Sequence, residues 1–575
     1  MTPLAKRLPR ELRNNIGKYL GLFLLMCGAI ALTSGFLLAA HSIGSLIDDM
    51  RDEYVIEDGR VMTAFEATDE QIEAAEDAAK ETGGVTLYKN FSIDAALKKP
   101  ADDGTKRTLR TYAHRTEVDI ASYCEGEKPQ ADNEVAIDRV FAANNGLNVG
   151  DEVELCGRAY TVCGIMTQPD SQALFLNNSD FTVNTLTYGV AEVADAGFAA
   201  LEGAGGAPTC TYSFAFDDRN LSVAERADAE KDMVSALEDA GARVDDLVDA
   251  DSNQGIGYAR DDVDGDSMMW TTLLDIIIVI MAFVFVVLTD ATIEEESAVI
   301  GTLLASGYRR REIVLHYLTL PAVVGVVASL LGTALGLAFF TEPMRGLYYG
   351  SYSLPPFCIY WDWAIFAKCA VVPAAVLILI TLAGLLRKTR KTPLQFLRHE
   401  ASGKSGTKRG VRLPEKMGFV ARFRLRIFLR NLGNFATLFV GIAFGSLLLL
   451  FGLAVLPTMT HYADNLETSL VANHQYTLKA PLELKGSAEA AAGNESVHPV
   501  NTTDNGAEKI AQAEKYAVYQ LQYDRGNGNG EETVAIYGIS PDSRYWKDSG
   551  VGDGRVVFGA GLIDKFGWKE GQSVE

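Results

Sequence analysis

MMWTTLLDIIIVIMAFVFVVLT at residues 268–289, followed at 294–313 by EEESAVIGTLLASGYRRREI, decides what kind of chain this is. The first stretch runs for 22 residues with a single charge, Asp275, and that is the length a ~30 Å hydrocarbon core requires of a helix. Four more stretches of this kind stand at 19–41, 317–340, 363–386 and 434–456, so five transmembrane helices are expected. The bulk figures conceal them, because a net charge of −23 with 48% hydrophobic residues also suits a large acidic soluble protein. The apolar residues are instead gathered into blocks, and so are the charges.

Lys and Arg remain on the cytoplasmic side of a membrane. Residues 1–18 carry Lys6, Arg7, Arg10, Arg13 and Lys18 against Glu11 alone, and the 387–433 linker is also strongly basic. Residues 42–267 hold 47 Asp and Glu against 18 Lys and Arg. The expected topology follows: cytoplasmic 1–18, an outside domain at 42–267, a cytoplasmic loop at 290–316, an outside loop at 341–362, the cytoplasmic linker, and a second outside domain at 457–575. The first apolar run is longer than a targeting core and reads as a retained anchor. Asp275 marks an intramembrane polar site, a type of residue that is costly in lipid and faces a neighbour or water.

Motifs repeat along the chain. Leu12-Arg13-Asn14 returns as Leu429-Arg430-Asn431, and Gly146-x-x-x-Gly150-x-x-Val153-Glu154 returns as Gly567-x-x-x-Gly571-x-x-Val574-Glu575, at offsets of 417 and 421 residues. This reads as a duplicated unit whose second copy stops before its last three spans, with an expected full length of roughly 800 residues and a pseudo-dimer within one chain.

The 42–267 domain reads as mixed α+β. A short strand is expected at 54–60 and further strands at 85–97, 107–114, 134–137, 151–155 and 160–165. Helices are expected at 69–82 and 223–240, each opened by a capping box, Thr68 with Gln71 and Ser222 with Glu225. Gly146 and Gly150 mark a tight turn into a strand. Residues 485–508 read as an insertion and 525–530 as a hairpin loop. The seven cysteines form no disulfide framework, although Cys156 and Cys163 could flank a hairpin and pair, and the seven histidines lack metal-ligand spacing.

The loop after the second span carries the chemistry. Ile300, Leu303 and Leu304 share one helical face, the acidic run Glu294, Glu295 and Glu296 suits the positive end of a helix dipole, and Gly307 is placed to close the helix. A short amphipathic helix along the inner membrane face is expected, its arginines meeting membrane lipids. No nucleotide-binding loop is present, since Arg398 stands where Gly403-Lys404-Ser405 would need an earlier glycine.

The pattern of acidic residue, Ile300-Gly301-x-Leu303-x-Ala305-x-Gly307, basic residues Arg309 and Arg310, then Glu312-Ile313 resembles the docking loop of the FtsX/MacB family of ABC transporter permeases. The order of one span, an outside domain with Asn133-Glu134-Val135-Ala136-Ile137 and the Gly146 to Val153 stretch, three spans and the tail from Lys391 to Arg398 is similar to that family throughout. The run Glu294 to Glu296 departs from it where many members have a basic residue.

The resemblance implies a MacB-like periplasmic core fold for the outside domains, a bacterial plasma-membrane location, and coupling of this loop to an ABC ATPase dimer. ATP and Mg would be held on that partner, with no cofactor, nucleic acid or catalytic site in this chain. The implied function is export or extraction of a lipid, lipoprotein, peptide or antimicrobial compound. The alternative is a non-transporting scaffold that passes ATP-driven motion to a cell-wall hydrolase or sensor.

Overall fold

The structure, a computed structural model, describes residues 7–80, 82–98, 104–178, 180, 182–218, 221–397, 418–430, 432–469, 516–524, 531–539, 543–546, 556–559, 562–563 and 569. In chain order the elements begin with α1 (Leu8–Asn14), α2 (Ile16–Glu53), β1 (Gly59–Thr63), α3 (Asp69–Ala79), β2 (Val85–Lys89), β3 (Ser92–Lys98), β4 (Arg107–Ala113) and β5 (Ser122–Gly126). Next come β6 (Glu134–Asp138), α4 (Arg139–Asn145), β7 (Glu152–Leu155), β8 (Arg158–Thr167), β9 (Tyr188–Val193), α5 (Asp195–Gly203), β10 (Pro208–Phe216), α6 (Val223–Asp239) and β11 (Val244–Asp249). The helical part holds α7 (Gln254–Glu295), α8 (Ser297–Ala305), α9 (Arg310–Leu335), α10 (Thr341–Ser351), α11 (Trp363–Phe366), α12 (Val372–Lys388), α13 (Pro393–Leu397), α14 (Phe419–Arg430) and α15 (Leu432–Ser469), and the strands β12 (Ala517–Asp524) and β13 (Glu531–Gly538) follow.

Two compact units result, one from 1–58, 86–216 and 253–454, the other from 59–85, 217–252 and 455–575. Among the described residues, five stretches are long and apolar enough to cross a membrane: Ile16–Glu53, Gln254–Glu295, Arg310–Ser351, Trp363–Lys388 and Gly445–Asn465. The last lies about a dozen residues beyond the expected start at 434, in a helix that contains Pro457.

In the second unit β1 and β11 pair antiparallel. Here α3 and α6 bury Ala75, Ala79, Ala229, Met233 and Leu237, and the Gln71 side chain donates to the Ala240 carbonyl at 3.0 Å. Both capping boxes form as the sequence indicates. Strands β12 and β13 pair antiparallel on either side of 525–530; that loop, the 485–508 insertion, Gly403 to Ser405 and most of the second Gly-x-x-x-Gly stretch lie outside the described residues.

The first unit is a mixed sheet joined to a helix bundle. Its strands run β10-β3-β4-β9-β6-β8-β5, with β7 against β3 and β8. The β4–β9 and β6–β8 pairs are parallel. The core holds Leu109, Ile137, Phe141, Val162 and Val190. Gly146 caps α4 in the left-handed region at φ +63° and Gly150 turns at φ +96°. Two sequence expectations are corrected. No strand occupies 54–58, because α2 continues to Glu53 and Val55 turns the chain at φ +50°; its strand begins only at Gly59. The run expected at 85–97 is two strands, broken where the Asn90 side chain turns into a buried polar cluster. All seven cysteines are free.

Within the bundle, α2 crosses α9 and its continuation at small residues. A Cβ on Gly336 would meet Ser34 Oγ at 2.0 Å, and one on Gly332 would meet the Cys27 carbonyl at 2.7 Å. Gly332-x-x-x-Gly336 thus lets the backbones approach, as small residues do between membrane helices. Phe36 stacks on Trp270 at 4.8 Å.

Both α2 and α7 extend more than ten residues past their apolar spans into the α+β domain, where they meet a buried polar joint. The Ser213 hydroxyl donates to Glu57 at 2.5 Å, Asn253 Nδ2 donates to Glu57 at 3.3 Å, and the Glu57 amide donates to Asp119 at 2.9 Å. Asn253 is also the N-cap of α7. Arg115 donates to Asp170 at 2.9 Å and approaches Asp119 at 3.7 Å. Glu57, Asp119 and Asp170 are all buried. Burial, with Glu57 and Asp170 nearby and Arg115 opposing, holds the Asp119 carboxyl well above the usual carboxylate range.

Removing the hydroxyl in Ser213→Ala leaves buried acceptors unsatisfied and should cost about 1–3 kcal/mol, measured by denaturant unfolding. A carboxyl whose folded pKa is raised contributes stability that is complete below its ordinary value near 4 and is lost as pH rises through the folded one. Wild type should therefore lose stability relative to Asp119→Asn as pH rises above the ordinary carboxylate range, and parallel thermal-unfolding curves across that rise would refute this.

Candidate functional site

At the end of the bundle away from the sheet, the chain leaves α7 at Glu295, bends at Glu296 and forms α8. A Schellman closure ends α8: the Tyr308 amide donates to the Leu303 carbonyl, the Gly307 amide to that of Leu304, and Gly307 takes φ +93°. Arg309 then caps α9, where its backbone N–H donates to the Glu312 carboxylate at 2.9 Å. The sequence therefore specifies a separate helix with a rigid stop.

The face of α8 predicted to lie along the membrane packs inward instead. Ile300 is fully buried with Ile293, Ile313, Tyr317, Leu385 and Phe396, while Leu303 and Leu304 are half-buried against the same cluster. The partner is the tail helix α13, which opens with a capping box between Thr392 and Gln395. Ser297 Oγ donates to the Phe396 carbonyl at 2.7 Å, and a Cβ on Gly301 would lie 2.9 Å from Leu397 Cγ and 3.1 Å from its amide. Ala298, Val299, Thr302 and Ala305, which spacing alone did not single out, form the exposed face.

The acidic run divides into two roles. Glu294 and Glu295 are exposed, and Lys18 approaches Glu295 at 3.7 Å. Glu296 is engaged within the chain, accepting from Arg7 at 2.6 Å and from the Tyr317 hydroxyl at 2.5 Å. Arg7 also pairs with Glu11 at 2.7 Å, and Glu11 accepts from His316 at 3.2 Å. The N-terminal helix α1 is thereby fastened to both ends of the loop. Its signal in the sequence was faint: Glu11 is the lone acid in a basic segment.

Arg309 and Arg310 stay exposed at the start of α9. Asp275 is separate from all of these, exposed on α7. Among those residues no group of three or more His, Cys, Asp or Glu is placed to hold a metal ion.

Gly301→Val should force α13 off α8, an overpacking cost of about 1–3 kcal/mol, and hydrogen exchange at 393–397 should accelerate. Glu296→Ala should cost about 1–2 kcal/mol by stranding the Arg7 and Tyr317 donors, whereas Glu294→Ala should change thermal stability by less than about 0.5 kcal/mol.

Residues 272–394 match the family model for the FtsX-like permease C-terminal domain. A comparison with curated proteins found no match. The matched stretch begins inside α7 and ends at the second residue of α13, so it takes in the loop and most of three helices able to cross a membrane, and stops just short of Phe396 and Leu397. This stretch of 123 residues, with α8 near its start, is similar to the FtsX-like permease C-terminal domain; with the helices long and apolar enough to cross a membrane, it supports an FtsX/MacB-like ABC permease family and a multi-pass membrane protein.

Proposed function

We propose that the chain is the permease subunit of an ABC transporter of the FtsX/MacB type, with its N-terminus in the cytoplasm and its α+β domains outside a bacterial plasma membrane. A partner ATPase dimer holds ATP and Mg, and α8 with Glu294 and Glu295 is the surface it moves. The cargo is an amphiphile handled at the outer face: a lipid, lipoprotein, peptide or antimicrobial compound. MacB-like core domains and a pseudo-dimer within one chain belong to the same reading.

The observation that carries this is the continuity of α7. Its 42 residues span about 63 Å at 1.5 Å per residue, from Asn253 in the buried joint to Glu295 at the loop, with no proline inside. Load applied to α8 reaches the α+β domain through one rod, and α2 runs beside it for 38 residues from the α1 clamp to the same joint. A loop that served only as a membrane-surface helix would need neither the α13 clamp nor a direct helical link to a distant domain.

The test is co-purification of the full-length protein with candidate ABC ATPases, comparing wild type with the Glu294→Lys/Glu295→Lys variant. Wild type should bind and stimulate ATP hydrolysis. The charge reversal should lower stimulation about tenfold, or more, while leaving thermal stability unchanged. If wild type engages no ATPase, the coupling reading is wrong.

A further inference from the structure

A groove of about 450 Å³ opens between the first turns of α9 and the last turns of α12. Its wall is apolar: Leu315 and Leu386 are 66% and 47% exposed into it or beside it, with Leu382 behind them. Its rim is cationic, carrying Arg310 and Arg311 from α9 and Arg390 just past α12. Among the described residues, Arg310 donates to the Lys391 carbonyl at 3.5 Å. Among the described residues, Arg311 and Arg390 have no acidic partner, whereas the nearby Lys388 is taken by Asp290 at 3.1 Å and Arg309 sits with Glu312. Burial, followed by the Lys388 charge and opposed by Glu294 and Asp290, also holds the Lys391 ammonium below its usual range.

We propose that this groove is a binding site for one anionic glycerophospholipid, its phosphate held by Arg311 and Arg390 and an acyl chain laid along Leu315, Leu382 and Leu386. The position fits the chemistry. Leu382 and Leu386 belong to a stretch able to cross a membrane, and Arg390 stands two residues beyond its end at Lys388. Apolar wall and cationic rim therefore meet where hydrocarbon gives way to headgroups, and eight residues of rise from Leu382 to Arg390 give about 12 Å of depth. At roughly 30 Å³ per water-sized group, the volume admits about fifteen such groups, a phosphoglycerol head with the upper part of a chain.

The chain's own linker at 398–417 is strongly basic and would be repelled by the same rim. Planar guanidinium forks suit phosphate oxygens, which they bind in pairs. Because α9 follows α8 and α12 leads to α13, an occupied groove would brace the two helices that frame the coupling loop.

This inference rests on the membrane-spanning reading, and the experiment separates the two. The full chain would be reconstituted into nanodiscs of phosphatidylcholine alone or with phosphatidylglycerol, then released into the gas phase for native mass spectrometry of retained lipid. Wild type should keep one phosphatidylglycerol with about a tenfold preference or more, and Arg311→Gln/Arg390→Gln should lose that preference. Leu382→Asn/Leu386→Asn should lower retention of both lipids. Equal retention of the two lipids by wild type, or an unchanged preference in the arginine variant, would overturn the site. Displacement of the lipid by millimolar inorganic phosphate alone would overturn it too, by showing an anion site without a chain. Failure to enter bilayers of either composition would instead overturn the membrane reading itself.

Discussion

Everything in the first unit hangs on one constraint, that a backbone crossing hydrocarbon must satisfy all its own hydrogen bonds. Once α7 leaves Asn253 it cannot stop before the apolar zone has been traversed, and it runs unbroken to Glu295. The polar first third of the helix would be weak alone. It is steadied by α10 and its C-cap, where the Tyr348 and Tyr352 hydroxyls donate to Asp266 and Asp262 at 2.9 and 2.8 Å, and by α2, where Arg260 donates to the Gly44 carbonyl at 2.8 Å. Asp262 and Asp266, which look like surface charges in the sequence, are thus the fastening points of a stalk.

The two ends of that stalk use charge differently. Toward the sheet, three buried carboxylates share one buried arginine, an arrangement that works only if hydroxyl, amide and protonated acid supply the remaining donors. Toward the loop, Arg7, Glu11, Glu296 and His316 form a partly exposed chain of ion pairs in which each bond is individually modest. The first end is costly to disturb. The second is partly exposed, so water can take over part of its bonding.

Much of this was legible in the chain because it is local. Apolar length gave the spans, and Thr68 with Gln71 and Ser222 with Glu225 gave two helix starts to the residue. Gly307 correctly announced the end of α8. What was hidden is what depends on distant partners. Glu296 and Arg7 are 289 positions apart, so nothing in the run Glu294 to Glu296 separated the internally paired acid from its two exposed neighbours. The stripe Ile300, Leu303 and Leu304 was read correctly as one face, but which surface covers it depends on α13, almost a hundred residues on. The strand expected at 54–58 failed for a related reason: β-formers such as Val55 and Ile56 carry no sign that a preceding helix will run up to them.

The irregularities of the bundle are unevenly shared. Neither α2 nor α7 contains proline, whereas α9 carries Pro321 and runs into a π-helical turn at Gly336–Phe340, and a second π turn at Ala367–Val371 precedes Pro373 in α12. Such turns have spare or missing backbone bonds and bend more readily than regular helix. In mechanical terms the molecule pairs two stiff members with two compliant ones, all four meeting at α8 and its surroundings. Under any load the bending would concentrate in α9 and α12, while α2 and α7 would move as rods.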